Sequence, residues 1–319
     1  MSDFAIETHA LTRRFGEQVA VDGIDLRVPR GSFYGFLGEN GAGKSTTISM
    51  LTGMLAPTGG SLRVLDLAPD GGVKRRIGVV PDGLLLFDRL TGREHLIFVG
   101  RLYGLGRAES ARRAEELLAT MELSGDARKL IADYSFGMRK KLALAAALIH
   151  APELLFLDEP FEGVDAVAKA SLTALLSDLV RRGRLTVFIT SHVLEVVERL
   201  CDQVGVIHRG RLVAQGTLPG VVQAVPGATT LTDAFVSPTK SPEPVHPPNA
   251  YPDDPNVPTQ SPCGTDETGR GGGPASPRKI PDSTALFPAV RSTVMLAVPP
   301  AGTLIGTDTH APWEKSELR

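Results

Sequence analysis

Gly38-Glu39-Asn40-Gly41-Ala42-Gly43-Lys44-Ser45 fits the spacing G-x-x-x-x-G-K-[ST]. It follows "GSFYGFLG", an apolar run that predicts a buried strand, and leads into "STTISMLTGML", which predicts a helix. A glycine-rich loop in that context can cradle a chain of phosphates. Gly38, Gly41 and Gly43 allow backbone N–H groups to turn inward in conformations that side chains oppose. The helix presents the positive end of its dipole to the anion. Lys44 then reaches the β- and γ-phosphates of a nucleoside triphosphate, the Ser45 hydroxyl ligates Mg²⁺, and Thr46 contacts the α-phosphate.

Two further groups would complete a hydrolytic reaction. "LLFLDEP", Leu154 to Pro160, sets two carboxylates behind an apolar run. Asp158 would hold Mg²⁺, directly or through water. Glu159 would orient the attacking water and act as its general base. His192, in "FITSH", also ends an apolar run, the edge at which open α/β sheets bind ligands. A neutral imidazole there would hydrogen-bond the γ-phosphate and keep the water in line. The other six histidines, His9, His95, His150, His208, His246 and His310, have no such placement and read as surface or packing residues.

Elements that position these groups are legible up to about residue 222. "ELLFLDEP" and "LTVFITSH" are apolar on both faces, as central strands of a largely parallel sheet are. "QVGVIHRGRLVAQG" alternates on either side of Arg209-Gly210 and predicts a hairpin. Between Leu84 and about Pro152 the spacing turns helical, in "GREHLIFVGRLYGL", "ESARRAEELLATMEL" and "SFGMRKKLALAAALIH". This reads as a helical subdomain, about 84–152, inserted into an α/β domain spanning 1–236.

From residue 237 onward no period survives, and 16 of the chain's 24 prolines fall in these last 83 residues. The segment 237–319 is expected to be disordered. A tail without a specific role, a proline-rich ligand for a partner, and a segment never selected to fold all fit this composition.

Composition narrows the function classes. The formal net charge of -2 across 319 residues gives no global basic field for nucleic acid or anionic lipid. Two cysteines, Cys201 and Cys263, do not make a disulfide framework and suit a reducing cytoplasm. The N-terminus lacks the apolar core of a signal peptide, and the longest apolar run, "LALAAALI", is too short to span a bilayer.

The order "GENGAGKST", "YSFGMRKKLALAAALIHAPELLFLDEP", "EGVD" and "TSH" resembles the ATP-binding subunit of an ABC transporter, over roughly residues 4–222. The resemblance implies a P-loop NTPase core with a mainly parallel sheet, an antiparallel β subdomain and the helical insertion. "YSFGM" stands at the family's signature, usually written LSGGQ. There Ser135 and the Gly137 backbone would hydrogen-bond a γ-phosphate held by the opposite protomer, so two subunits sandwich two ATPs. Phe136 replaces the first signature glycine. Phe15 aligns with the adenine-stacking aromatic, and Asp165 with the loop that couples the two sites across the dimer. Asp82, in "VVPDG", replaces a glutamine that helps hold Mg²⁺ or the water.

The family further implies ATP and Mg²⁺ as cofactors and a separate multi-helix membrane permease as partner. It implies a second ATP-binding subunit, as a homodimer, and a place on the cytoplasmic face of the membrane. "YSFGMRKKLALA" looks most like the exporter subgroup. The alternative is a soluble ABC ATPase acting on ribosomes or DNA. Those acting on translation carry two tandem nucleotide-binding domains, and this chain carries one. A kinase or GTPase reading leaves "YSFGM" unexplained and lacks the guanine-reading N-K-x-D pattern.

Overall fold

The computed structural model of the chain describes residues 2–69, 72–181, 185–224, 230 and 232. The segment 237–319, expected from composition to be disordered, lies outside the described residues.

In chain order the elements are β1 (Phe4–Phe15), β2 (Gln18–Ile24), β3 (Arg27–Pro29), β4 (Phe33–Leu37), α1 (Lys44–Leu51), β5 (Gly59–Val64) and β6 (Ile77–Val80). Three helices follow: α2 (Gly92–Leu102), α3 (Arg107–Thr120) and α4 (Phe136–Leu148). The chain returns to the sheet with β7 (Leu154–Asp158), α5 (Ala166–Arg181), β8 (Thr186–Ser191), α6 (Leu194–Leu200), β9 (Gln203–His208), β10 (Arg211–Thr217) and α7 (Leu218–Ala224).

Among the described residues the larger sheet runs β10-β9-β4-β8-β7-β6. All its pairings are parallel except the β9–β10 hairpin, which turns at Arg209-Gly210. Every residue of β4, β7 and β8 is buried, as the two-faced apolar runs require. Alternate residues feed two cores. Phe33, Leu37, Leu155, Leu157, Val187 and Ile189 pack with the helices that include α4 and α5. Tyr34, Phe36, Leu154, Phe156 and Phe188 pack against α1 and the antiparallel sheet. Tyr34 stacks on Phe188 with ring centroids 5.5 Å apart. Each such side chain removed from water contributes about 1.5–3 kcal/mol, so the central strands are held firmly from both sides.

The antiparallel sheet pairs β1 with β2, β3 and β5. Between β6 and β7 the described residues form helices, turns and one isolated bridge from Thr91 to Leu130. A capping box opens α2: Thr91 Oγ1 accepts from the Glu94 N–H at 3.2 Å, and Glu94 Oε2 accepts from the Thr91 N–H at 2.9 Å. Ser135 caps α4 by accepting from the Met138 N–H at 3.3 Å.

Candidate active site

Parallel register brings the candidate groups to one edge of the sheet. Leu37 pairs with Ser191 and Asp158 with Thr190, so the loop after β4, the carboxylates ending β7 and His192 after β8 emerge side by side. Asp82 lies two residues beyond the end of β6, next to β7.

The glycine-rich loop folds back on itself, with the Ala42 N–H donating to Glu39 O at 3.1 Å. Gly43 has φ 107°, and a β-carbon there would lie 2.5 Å from Ala20 O. This position therefore accepts only glycine, both for its left-handed backbone and for lack of room. Lys44 is 6% exposed and curls over the loop, donating to Gly38 O at 2.7 Å and Glu39 O at 3.2 Å. The β9–β10 turn braces the loop from behind, where the Gly210 N–H donates to Ala42 O at 3.0 Å.

The carboxylates are fixed by neighbours. Thr190 Oγ1 donates to Asp158 Oδ1 at 2.6 Å and accepts from the Glu159 N–H at 3.1 Å. Glu159 Oε1 sits 3.3 Å from Lys44 Nζ, and Oε2 sits 3.0 Å from His192 Nδ1. Glu159 adopts φ 46°, a left-handed backbone seldom taken by a residue with a side chain.

A cavity of about 610 Å³ is lined by Phe15, Asn40, Gly41, Gly43, Lys44, Ser45, Thr46, Asp82, Asp158 and Glu159. These ten sequence-predicted residues thus share one space. Gly38, Glu39 and Ala42 form the adjoining loop backbone. His192 is absent from the lining and meets the cavity only through Glu159; its ring is turned to the carboxylate at this edge. Ser135 and Gly137, at the start of α4, and Asp165, just before α5, also lie outside the lining. One chain therefore gathers the loop, both carboxylates and the aromatic, and leaves the signature turn elsewhere.

Comparison with known proteins fixes the family. The ABC transporter family model matches residues 21–162. The daunorubicin resistance ATP-binding protein DrrA3 of Streptomyces coeruleorubidus is 41% identical over 222 residues, 68% of this chain and 69% of that protein. The bacitracin transport ATP-binding protein BcrA of Bacillus licheniformis is 37% identical over 215 residues, 66% of this chain and 69% of that protein. A solved structure of an ATP-binding subunit of an ABC transporter superposes with TM-score 0.69 at 30% identity, covering 74% of this chain and 100% of the other. The chain belongs to the ABC transporter ATP-binding family.

This ABC subunit is accordingly an ATPase that powers a transporter, built on the P-loop NTPase fold expected from its motifs. The same cavity holds residues given no role from the sequence: Gln18, Val19 and Ala20 from β2, Glu162 at the head of "EGVD", and Arg209-Gly210 at the hairpin tip. The contribution of Gln18, Val19, Ala20, Arg209 and Gly210 depends on β2 and the last hairpin folding against the loop. The sequence marked Arg209-Gly210 only as a hairpin turn. Arg13 lies over one face of the Phe15 ring, 4.5 Å from its centroid, and Phe15 stays 46% exposed.

Proposed function

We propose that the chain is the ATP-hydrolysing subunit of an exporter and works as a homodimer beneath a separate multi-helix membrane permease, on the cytoplasmic face. The observation that carries this reading is the separation within one chain: a full phosphate cradle with its general base, and a serine-capped signature turn that does not line it. A second copy supplying Ser135 and Gly137 to the γ-phosphate completes each site. Relatives named for daunorubicin resistance and bacitracin transport support an exporter with a drug or antibiotic cargo.

In this mechanism Phe15 stacks on the adenine, and the loop N–H groups with Lys44 hold the phosphates. Glu159 takes a proton from water as the water oxygen bonds to the γ-phosphorus and the bond to ADP breaks. His192 orients the Glu159 carboxylate through the 3.0 Å contact. Mg²⁺ fits the donor set, because Ser45 and the Asp158 carboxylate face one cavity and are hard oxygen ligands. When bound, the ion supplies positive charge against the phosphate oxygens, and Asp82 is near enough to the same space to join through water.

A membrane partner needs a surface to grip. Exposed apolar side chains gather near the start of the helical segment 84–152: Leu85, Phe87, Phe98 and Leu102. The rings of Phe87 and Phe98 are 5.4 Å apart and edge to face, so they form one patch. Among the described residues no helix is long and apolar enough to cross a membrane itself. The balanced net charge speaks against a soluble ABC ATPase working on nucleic acid.

The test is oligomeric state by sedimentation with ATP. Glu159→Gln is expected to shift to a dimer, and Glu159→Gln combined with Ser135→Arg to stay a monomer. A dimer indifferent to Ser135 would refute the shared site.

A further inference from the structure

Lys140 lies on α4, one turn beyond Phe136, and is 3% exposed. Its stem lines a small apolar recess with Val80, Leu144, Leu157, Pro160 and Phe161. Its ammonium emerges from that recess and donates to the backbone carbonyl of Glu159 at 2.8 Å. Burying an ammonium is unfavourable without partners, and burial pulls the Lys140 pKa below its ordinary value while Asp82, Glu162, Glu159 and Asp158 push it back up. The recess thus holds the stem and aims the charged donor at one peptide.

That peptide belongs to a backbone turn that needs holding. Glu159 combines φ 46° with a following proline, and a residue before proline prefers extended backbone. Backbone in so sparsely populated a conformation persists only where its surroundings over-determine it. Here the N–H is tied to Thr190 Oγ1 at 3.1 Å, and the C=O accepts from Lys140 Nζ at 2.8 Å and, at a longer 3.3 Å, from the Glu162 N–H. With both ends of the residue fixed, the carboxylate falls between Lys44 and His192.

We propose that Lys140 is a positioning residue for the general base, holding the Glu159 peptide in its left-handed turn and linking it to the signature turn of the same chain. The link is physical. The Phe136 ring lies 5.3 Å from Lys140 Nζ, and a β-carbon on Gly163, in the loop after Glu159, would come within 2.7 Å of the same ring. Ser135 caps the helix that carries both Phe136 and Lys140. The helix that meets the opposite subunit's phosphate therefore also sets this subunit's base. The ammonium further offsets the additional negative charge that Asp82 brings in place of glutamine.

This inference rests on Glu159 being the base, so the experiment separates the two. In the full chain, Lys140→Arg, Lys140→Gln and Lys140→Met are compared for kcat, for KM, for affinity toward a fluorescent ATP analogue and for Tm. Lys140→Met is expected to lower kcat by about 10–100-fold, the effect of misplacing a catalytic group, with nucleotide affinity unchanged. Lys140→Arg restores most of the rate, and Lys140→Gln falls between. In the Glu159→Gln background, Lys140→Gln has no further effect. Equal kcat across the series overturns the proposal, as does a parallel loss of kcat and nucleotide affinity. If Lys140→Met does not fold, the Arg and Gln variants carry the same comparison. If Glu159→Gln alone retains turnover, the base assignment fails instead.

Discussion

Lys44 Nζ lies 3.3 Å from Glu159 Oε1, so the cation of the phosphate loop and the carboxylate at the end of β7 meet as an ion pair across the site. Both are largely buried, 6% and 13% exposed at the side chain. A triphosphate entering the cradle competes with Glu159 for Lys44 and frees the carboxylate to face water. Glu159→Gln keeps the shape and loses the base. It is expected to bind ATP as before and to hydrolyse it about 100–10,000-fold more slowly, the usual contribution of a positioned base. Phosphate release under single-turnover conditions measures this directly, and wild-type turnover would remove Glu159 from the role.

Lys44→Ala acts one step earlier. The ammonium makes charge-assisted contacts that are shared between ground and transition states, so its loss falls on binding. ATP affinity is expected to drop roughly 10–100-fold, the effect of losing one hydrogen bond to a charged group. Equilibrium titration with a fluorescent analogue reads it. Normal affinity in the variant would refute the assignment of the loop.

Asp82 brings a carboxylate close to where the γ-phosphate would lie. Because Asp82 is exposed, water screens the repulsion and the change on removal is small. Asp82→Gln is expected to leave ATPase rate equal or up to about fivefold faster, the range of exposed charge interactions. Steady-state turnover at saturating ATP checks this. A collapse in rate would show that the aspartate has a required task of its own.

His150 gives a pH prediction away from the site. Its ring stacks on Tyr103 at 3.6 Å between centroids, and Nε2 faces Ile77 O at 2.9 Å, so Nε2 carries the proton of the neutral ring. Nδ1 is buried without a hydrogen-bond partner. Burial holds the pKa down at about 4, from an ordinary value of 6.5. The unfolded chain therefore binds a proton near pH 6.5 that the folded chain refuses until about pH 4, and stability falls as pH drops through that window. His150→Phe should remove on the order of 1–2 kcal/mol of the loss between pH 7 and pH 5. Urea unfolding at the two pH values tests it, and an unchanged difference would contradict the burial argument.

The phosphate loop, the strand-end carboxylates and the helical run from α2 to α4 were legible because each is written in local residue types: glycines where backbone must turn, apolar runs where strands are covered twice, three-to-four spacing where one face is buried. The antiparallel sheet was legible through family resemblance alone. β1 pairs with three strands and its register shifts between Leu11 and Arg13, which breaks any clean alternation. Gln18 and Arg209 were hidden for another reason. Nothing near Gln18 marks it and Arg209 is marked only as a hairpin turn; they join the cavity because β2 and the β9–β10 turn pack against the phosphate loop. His192 follows the end of β8, and its contact with Glu159 depends on the left-handed turn at that residue, which no periodicity announces.

The hydrogen bond from Gly210 to Ala42 joins a stretch near the start of the domain to one made almost last. A chain emerging from the ribosome displays its entire glycine-lysine sequence long before the hairpin that braces it has been synthesised. During that interval the nascent polypeptide has the letters of a nucleotide grip without the grip itself, so competence to hold the triphosphate arrives together with the end of the domain and not with the motif.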